Sequence, residues 1–233
     1  MLRNAEQRQA LSLHISSLAS PAAISETEDL GDIRFRALLG AKQWNMLPTA
    51  VQRRFSKRVA AGRTVIYKGT VTTISFSRVG YVFAHALRII GSPLPLSRAV
   101  GQPTVVTVTE DAASGGQFWT RLFVRDRGFP QVIHSVKRFA GPTGLEEAVG
   151  FGLVMALRLS VSSQGALVFT SEGYALRIGR VRLGLPSAFT PGALTVTHQE
   201  IDATTFRFTL TLAHAVLGTL VHQEAVYDEE APS

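Results

Sequence analysis

From residue 64 onward most of the chain alternates large apolar residues with small or polar ones. A period of two predicts β-strands rather than helices. The segments TVIYKGTVTTISF (64–76), PTVVTVTE (103–110), QFWTRLFVR (117–125) and QVIHSVKRF (131–139) carry this pattern, rich in the β-branched and aromatic residues that strands favour. It is clearest in VGFGLVMALRLSV (149–161), where every second residue from Val149 to Val161 is large and apolar. This run reads as one strand, with Gly150 and Gly152 inside it leaving room for a neighbouring backbone. Further strands are predicted at 166–170, 174–183, 193–200, 205–213 and 218–227. The loops between them are short and rich in Ser, Gly, Pro and Asp, so consecutive strands are expected to be antiparallel.

Two regions break the alternation. In residues 33–59, Phe35, Leu38 and Leu39 share a helical face, and Gly40 marks a stop or a bend. A second short helix is predicted from Pro48, with Val51 and Phe55 four apart and Arg53, Arg54, Lys57 and Arg58 outward. The other region is VGYVFAHALRIIGSPLPL (79–96), an apolar, helix-like run that stops at Pro93 and Pro95. Its apolar part spans about 12 residues and includes His85 and Arg88, too short and too polar to cross a bilayer. An amphipathic helical insert over 79–91 remains, with Val82, Phe83, Leu87 and Ile90 as the apolar residues of a lid.

These elements predict a mainly β fold with α+β character at its N-terminus. About ten antiparallel strands form a barrel-like or strongly curled sheet, because closure hides the edges that invite aggregation. A two-layer sandwich is the competing arrangement. The expected organisation is a poorly ordered leader (1–32), one β-rich domain (33–228) with a helical cap (33–60), and a short tail (229–233). A barrel of this size can enclose a ligand cavity. A first strand, a helical insert and a meander of strands together resemble the plan of intracellular fatty-acid-binding proteins.

Composition narrows the function classes. The absence of cysteine removes disulfides, thiolate nucleophiles and cysteine metal sites, and it suits a reducing compartment. With no continuous apolar signal segment at the N-terminus, the expected location is the cytoplasm. The net charge of +7 is uneven, for no acid occurs between Asp32 and Glu110 while that interval carries 12 basic residues. Such a surface attracts anions, and peripheral contact with a membrane is compatible with it. Nucleic acid is disfavoured, because the basic residues are not interleaved with stacking aromatics and no recognition motif is present.

Several phrases of the sequence recur in a known family. They are FRALLGAKQWNMLPTAVQRRF (35–55), the Trp-x-Arg-x-Phe element Trp119, Arg121, Phe123, and RLGLPSAFTP (182–191). A Phe-x-Phe strand (Phe206, Phe208) and a closing Gly-x-Leu-Val strand (Gly218, Leu220, Val221) complete the set. Across roughly residues 33–227 the chain resembles the bacterial family designated domain of unknown function 4166. His222, Gln223 and Glu224 depart from the aromatic and glycine expected there. The resemblance implies a shared fold and no established activity. Because family members stand alone or follow a Rossmann-type oxidoreductase domain, it also implies a separately encoded oxidoreductase as a partner.

Candidate chemistry is sparse. There is no Gly-x-Ser-x-Gly elbow, phosphate-binding loop or dinucleotide turn, so no catalytic residue and no cofactor is assigned. His198, His214 and His222 lie on late strands without metal-ligand spacing, and no metal is assigned. Glu146 and Glu147 read as solvated loop residues that would point to opposite faces of a strand. Trp119, Arg121, Phe123 and Arg125 share one strand face, while Phe118, Thr120, Leu122 and Val124 on the other resemble ordinary core. An arginine between aromatics can bind a carboxylate inside a cavity, or lie outside beneath the helices. Arg158, Arg177 and Arg207 also interrupt apolar strands and are further ligand-binding candidates, since a buried arginine needs a partner that a ligand anion could supply. The expected function is a non-enzymatic binding domain for an apolar anionic ligand, such as a fatty acid, with Arg121 as the anion partner. Two other readings stand beside it. One is a structural or interaction module; the other is an enzyme of unrecognised type, which would need His and Glu to converge on a pocket.

Overall fold

Eleven strands among the described residues make one antiparallel sheet, and ten of them close into a barrel. The computed structural model describes residues 31–229 apart from 61, 92, 126 and the side chain of Ile90. The leader expected up to residue 30 therefore lies outside the described residues, as does residue 90 of the expected lid. The strands are β1 (Val65–Phe76), β2 (Pro103–Asp111), β3 (Gly116–Phe123), β4 (Gln131–Arg138), β5 (Glu146–Gly150) and β6 (Leu153–Val161). They continue with β7 (Leu167–Ile178), β8 (Val181–Gly184), β9 (Ala193–Glu200), β10 (Thr205–His214) and β11 (Gly218–Glu229). The sheet order is β6-β5-β4-β3-β2-β1-β11-β10-β9-β7, and the β6–β7 pairing closes the ring. A closed ring rules out the two-layer sandwich.

Three boundaries differ from the pattern reading. The apparent single strand 149–161 is a hairpin: β5 ends at Gly150, Phe151 forms the turn and β6 starts at Leu153. Gly150, Phe151 and Gly152 all have positive φ, which turns the chain without interrupting the alternation of large residues. The single strand expected over 174–183 turns at 179–180 into β8, and the break expected between strands 166–170 and 174–183 is instead a bulge within β7. There β7 changes partner: residues 167–170 pair with β9, and 175–178 pair with β8, the strand outside the ring.

Helices close both ends. Helix α1 (Arg34–Trp44) bends at Gly40, whose φ of 75° lies outside helical space, and α2 (Thr49–Phe55) follows Pro48. Strand directions put the β2–β3, β4–β5, β6–β7 and β9–β10 connections at one end, and the two helices touch all four. Arg34 donates to the Gly115 carbonyl, Arg53 Nη2 donates to Ala203 O at 2.7 Å, Leu38 lies against Gly144, and Pro48 against Gly165. Phe35, Trp44, Leu47, Val51 and Phe55 are all buried in the barrel core, each contributing about 1.5–3 kcal/mol. Phe35 sits edge-on to Phe55 at 5.2 Å and to Phe139 at 5.1 Å.

At the opposite end, β1 leads directly into α3 (Arg78–Ala86) and a 3₁₀ turn (Leu87–Ile90). Ser77 caps α3, its Oγ accepting from the Gly80 amide at 3.0 Å, and Gly91 in the left-handed region (φ 100°) ends the turn. The helix rests directly on β11, for a Cβ on Gly80 would run into the Leu220 carbonyl. Gly80→Ala is expected to lift α3 from the barrel at a cost of about 1–3 kcal/mol. Hydrogen exchange should then show lost protection confined to residues 77–91; unchanged protection there would contradict this packing. Among the described residues no helix is long and apolar enough to cross a membrane.

Candidate functional site

The barrel interior holds a cavity of about 340 Å³. Alternation decides what faces it. On β3, Gln117, Trp119, Arg121 and Phe123 point inward, and Phe118, Thr120 and Leu122 outward. The face expected to be ordinary core is therefore the outer one, and Phe118 and Val124 are exposed on it. Most of the cavity wall is apolar: Val149, Leu153, Met155, Leu194 and Leu212 come from four strands of the ring. At the end covered by α3 it is bounded by Phe83, Leu87 and Leu94, and by Phe189–Pro191 of the β8–β9 connection. Phe189 lines the cavity yet is 80% exposed, which places it at a mouth.

A polar cluster interrupts the apolar wall. Lys137 on β4 donates from Nζ to Glu147 Oε2 on β5 at 3.1 Å, and Arg121 Nη2 lies 3.8 Å from Glu147 Oε1. Arg121 Nη2 also donates to Ser135 Oγ at 3.3 Å, whereas its Nε is buried and donates to nothing. The Lys137 ammonium lies 4.6 Å from the Trp119 ring centre, a cation–π contact. Burial pushes the Lys137 pKa down, with Glu147 working against that shift. Burial also opposes ionisation of Glu147, but Lys137 and Arg121 outweigh it and hold its carboxyl below the usual range. Two cations thus face one carboxylate.

His198 on β9 lies beside this cluster. It is stacked on Phe206 at 5.8 Å and edge-on to Phe55, Phe208 and Trp119, and its Nδ1 has no hydrogen-bond partner. Burial, followed by the charges of Arg54, Lys137 and Arg121, holds its pKa well below 6.5, so the folded protein keeps it neutral. The unfolded chain protonates it near 6.5, so this contribution to stability is full above that pH. It is lost as pH falls toward the depressed folded value, by about 1.4 kcal/mol per pH unit. Denaturant midpoints measured from pH 7 to pH 5 are expected to fall in the wild type and to flatten in His198→Phe. Parallel pH dependences in the two proteins would refute the assignment.

The predicted site residues divide. Trp119 and Arg121 line the cavity, and so do Phe83 and Leu87 of the predicted lid. Val82 instead faces solvent. Phe123 points inward but packs in a separate small cluster with Val71 and Ile133. Arg158, Arg177 and Arg207 lie outside the cavity on the outer face. Arg158 pairs with Glu172 across the β6–β7 ladder, its Nη2 2.7 Å from Oε2, and Arg177 Nη1 lies 3.3 Å from Glu146 Oε1. Arg207 is exposed on β10. The three histidines do not converge: His222 bonds Thr211 from the outer face and His214 accepts from the β10–β11 turn.

Besides Lys137, sequence reasoning missed three charged groups. Glu146 and Glu147 are buried strand residues rather than solvated loop residues; they point to opposite faces, Glu146 outward to Arg177 and Arg182, Glu147 inward. Arg54, expected outside α2, has a side chain only 1% exposed. Its guanidinium lies 3.9 Å over the Phe206 ring, and its Nη2 is 3.4 Å from Glu229 Oε2.

The sequence model of a family described as Domain of unknown function (DUF4166) matches residues 47–226. No curated protein sequence matches the chain.

Proposed function

The chain belongs to the DUF4166 family, and from that premise, which brings no activity with it, we propose that the barrel is a binding domain for an apolar ligand ending in a carboxylate or similar anion. The observation that carries this reading is the composition of the cavity wall, mostly apolar, with its charged groups confined to one place where Arg121 and Lys137 share the carboxylate of Glu147. Arg121 Nε is a buried donor without a partner, and a buried donor left unbonded costs about 1–3 kcal/mol. An incoming anion would satisfy it and balance the excess charge. The volume of about 340 Å³ is that of a small-ligand pocket, which suits a fatty acid of modest length. Trp119 flanks the anion site, and Phe83 and Leu87 cover the apolar chain.

Native mass spectrometry of protein purified with and without delipidation, followed by titration with a fluorescent fatty acid, tests this. Saturable binding is expected, and Arg121→Met should weaken it about 10- to 150-fold by removing a charge-assisted hydrogen bond. The same substitution should leave binding of the corresponding fatty alcohol nearly unchanged. No carried ligand and no saturable binding would reject the reading.

A second reading has one specific observation behind it: Glu147, Lys137 and the neutral His198 line the same cavity, the arrangement an acid–base enzyme would need. The Lys137–Glu147 pair, which occupies two of these groups with each other, favours binding over catalysis. An interaction module partnering an oxidoreductase would sooner have a filled interior, and the cavity weighs against it.

A further inference from the structure

Among the described residues, the five large apolar side chains that are more than three-quarters exposed all belong to one end of the barrel. They are Ile89 in the 3₁₀ turn, Phe129 between β3 and β4, Phe151 between β5 and β6, Phe189 between β8 and β9, and Val216 between β10 and β11. Phe129 is 90% exposed. Val79 and Val82 on the outer side of α3, and Ile178 and Val181 at the β7–β8 turn, extend the same surface. Strand direction places all these segments at the end where Phe189 marks the cavity mouth. Phe151 adds a second indication. It is the one non-glycine with positive φ (47°) among the described residues, a conformation disfavoured for a large side chain, and its ring points into solvent.

The charge at this end has one sign. The segments 77–102, 124–130, 150–152, 178–192 and 214–218 contain seven arginines and one acid, Asp126. Arg78, Arg88, Arg125, Arg127 and Arg180 are exposed among the apolar tips. The helical-cap end is also basic, but among the described residues none of the exposed large apolar residues there, which include Ile33, Met46, Ile66 and Ile201, is more than 70% exposed.

Separate apolar tips set among arginines, spread over five connections, match a bilayer interface. The tips can enter the acyl boundary while guanidinium groups meet anionic headgroups. From this juxtaposition we infer that the lid end of the barrel docks on the surface of an anionic membrane. Docking stands on the surface alone. That the cavity then exchanges its ligand directly with the bilayer rests on the binding reading above.

Flotation of the protein with phosphatidylcholine vesicles, with and without phosphatidylglycerol, is the test. Binding to the anionic vesicles that weakens in high salt is expected. The double variant Phe129→Asp, Val216→Asp, at two exposed turn positions outside the cavity wall, should reduce partitioning at least about tenfold. Its circular dichroism spectrum and its fatty-acid titration in solution should match the wild type. Arg36→Glu, Arg58→Glu at the helical-cap end should change partitioning little. Absence of binding to anionic vesicles, full binding by the Phe129/Val216 variant, or loss of binding in the Arg36/Arg58 variant would each overturn the inference. A failed fatty-acid titration with intact vesicle binding would instead remove the ligand reading and leave docking in place.

Discussion

Glutamine in place of Glu229 is expected to destabilise the protein by about 3 kcal/mol, more than replacement of any one of its cationic partners. Glu229 is the last residue of β11, and its side chain is 6% exposed. Three cations from α2 and the residues after it converge on it: Lys57 in direct contact, Arg54 at 3.4 Å and Arg53 at 3.8 Å. Lys57 and Arg53 can turn to water, but Arg54 is enclosed over Phe206, with Nε and Nη1 bonded to nothing. Burial lowers its pKa, yet a guanidinium does not lose its proton in a protein. Removing the carboxylate therefore strands a buried charge. Glu200, the other carboxylate acting on Arg54, remains and keeps the loss at the lower end of the range for a broken buried pair.

Arg54→Met should cost less, because Glu229 retains Lys57 and Arg53 and the methionine fills much of the space. The double variant Glu229→Gln, Arg54→Met should then recover part of the loss seen in Glu229→Gln alone. Denaturant midpoints of the three variants check the order. If Arg54→Met proves the more damaging, packing over Phe206 dominates rather than charge. Because these contacts tie the helical cap to the end of the last strand, hydrogen exchange in 34–58 should increase first.

The difference between what the pattern foretold and what it concealed has a physical basis. The helical insert was legible because its signals are local: an apolar run with helical amphipathicity, and the prolines Pro93 and Pro95 that forbid continuation. Barrel closure followed from strand number and from the need to hide edges. The β5–β6 hairpin was concealed because Phe151, at its turn, preserves the alternation of its neighbours. The face of β3 that turns inward was undecidable, since Phe118 and Leu122 make the outer face as apolar as the inner. The buried charges were invisible for a different reason. Arg54 finds its acid 175 residues away, and Glu147 meets Lys137 and Arg121 only when three strands align. A local window offers no partner for any of them, so each reads as a solvated residue. Of the candidate site, the Trp119–Arg121 face was visible and its neutralising partner was not.

That partner provides the sharpest separation between a binding site and a merely structural ion cluster. Glu147→Gln leaves Lys137 and Arg121 facing the cavity with no carboxylate between them, and should destabilise the protein by about 3–5 kcal/mol. The same change should tighten binding of an anionic ligand, because the site gains a full unit of positive charge toward it. A ligand that binds only the folded state raises stability according to its concentration over its dissociation constant, about 2.7 kcal/mol at a hundredfold excess. Saturating fatty acid should therefore raise the melting temperature of Glu147→Gln by more than it raises that of the wild type. A fatty alcohol of the same chain length fills the apolar wall equally but carries no charge, so it should raise both proteins by the same amount. Equal responses of the two proteins to the acid would mean that no anion reaches Arg121 and Lys137. The polar cluster would then be a strut across the barrel, and the cavity above it an apolar void without a headgroup site.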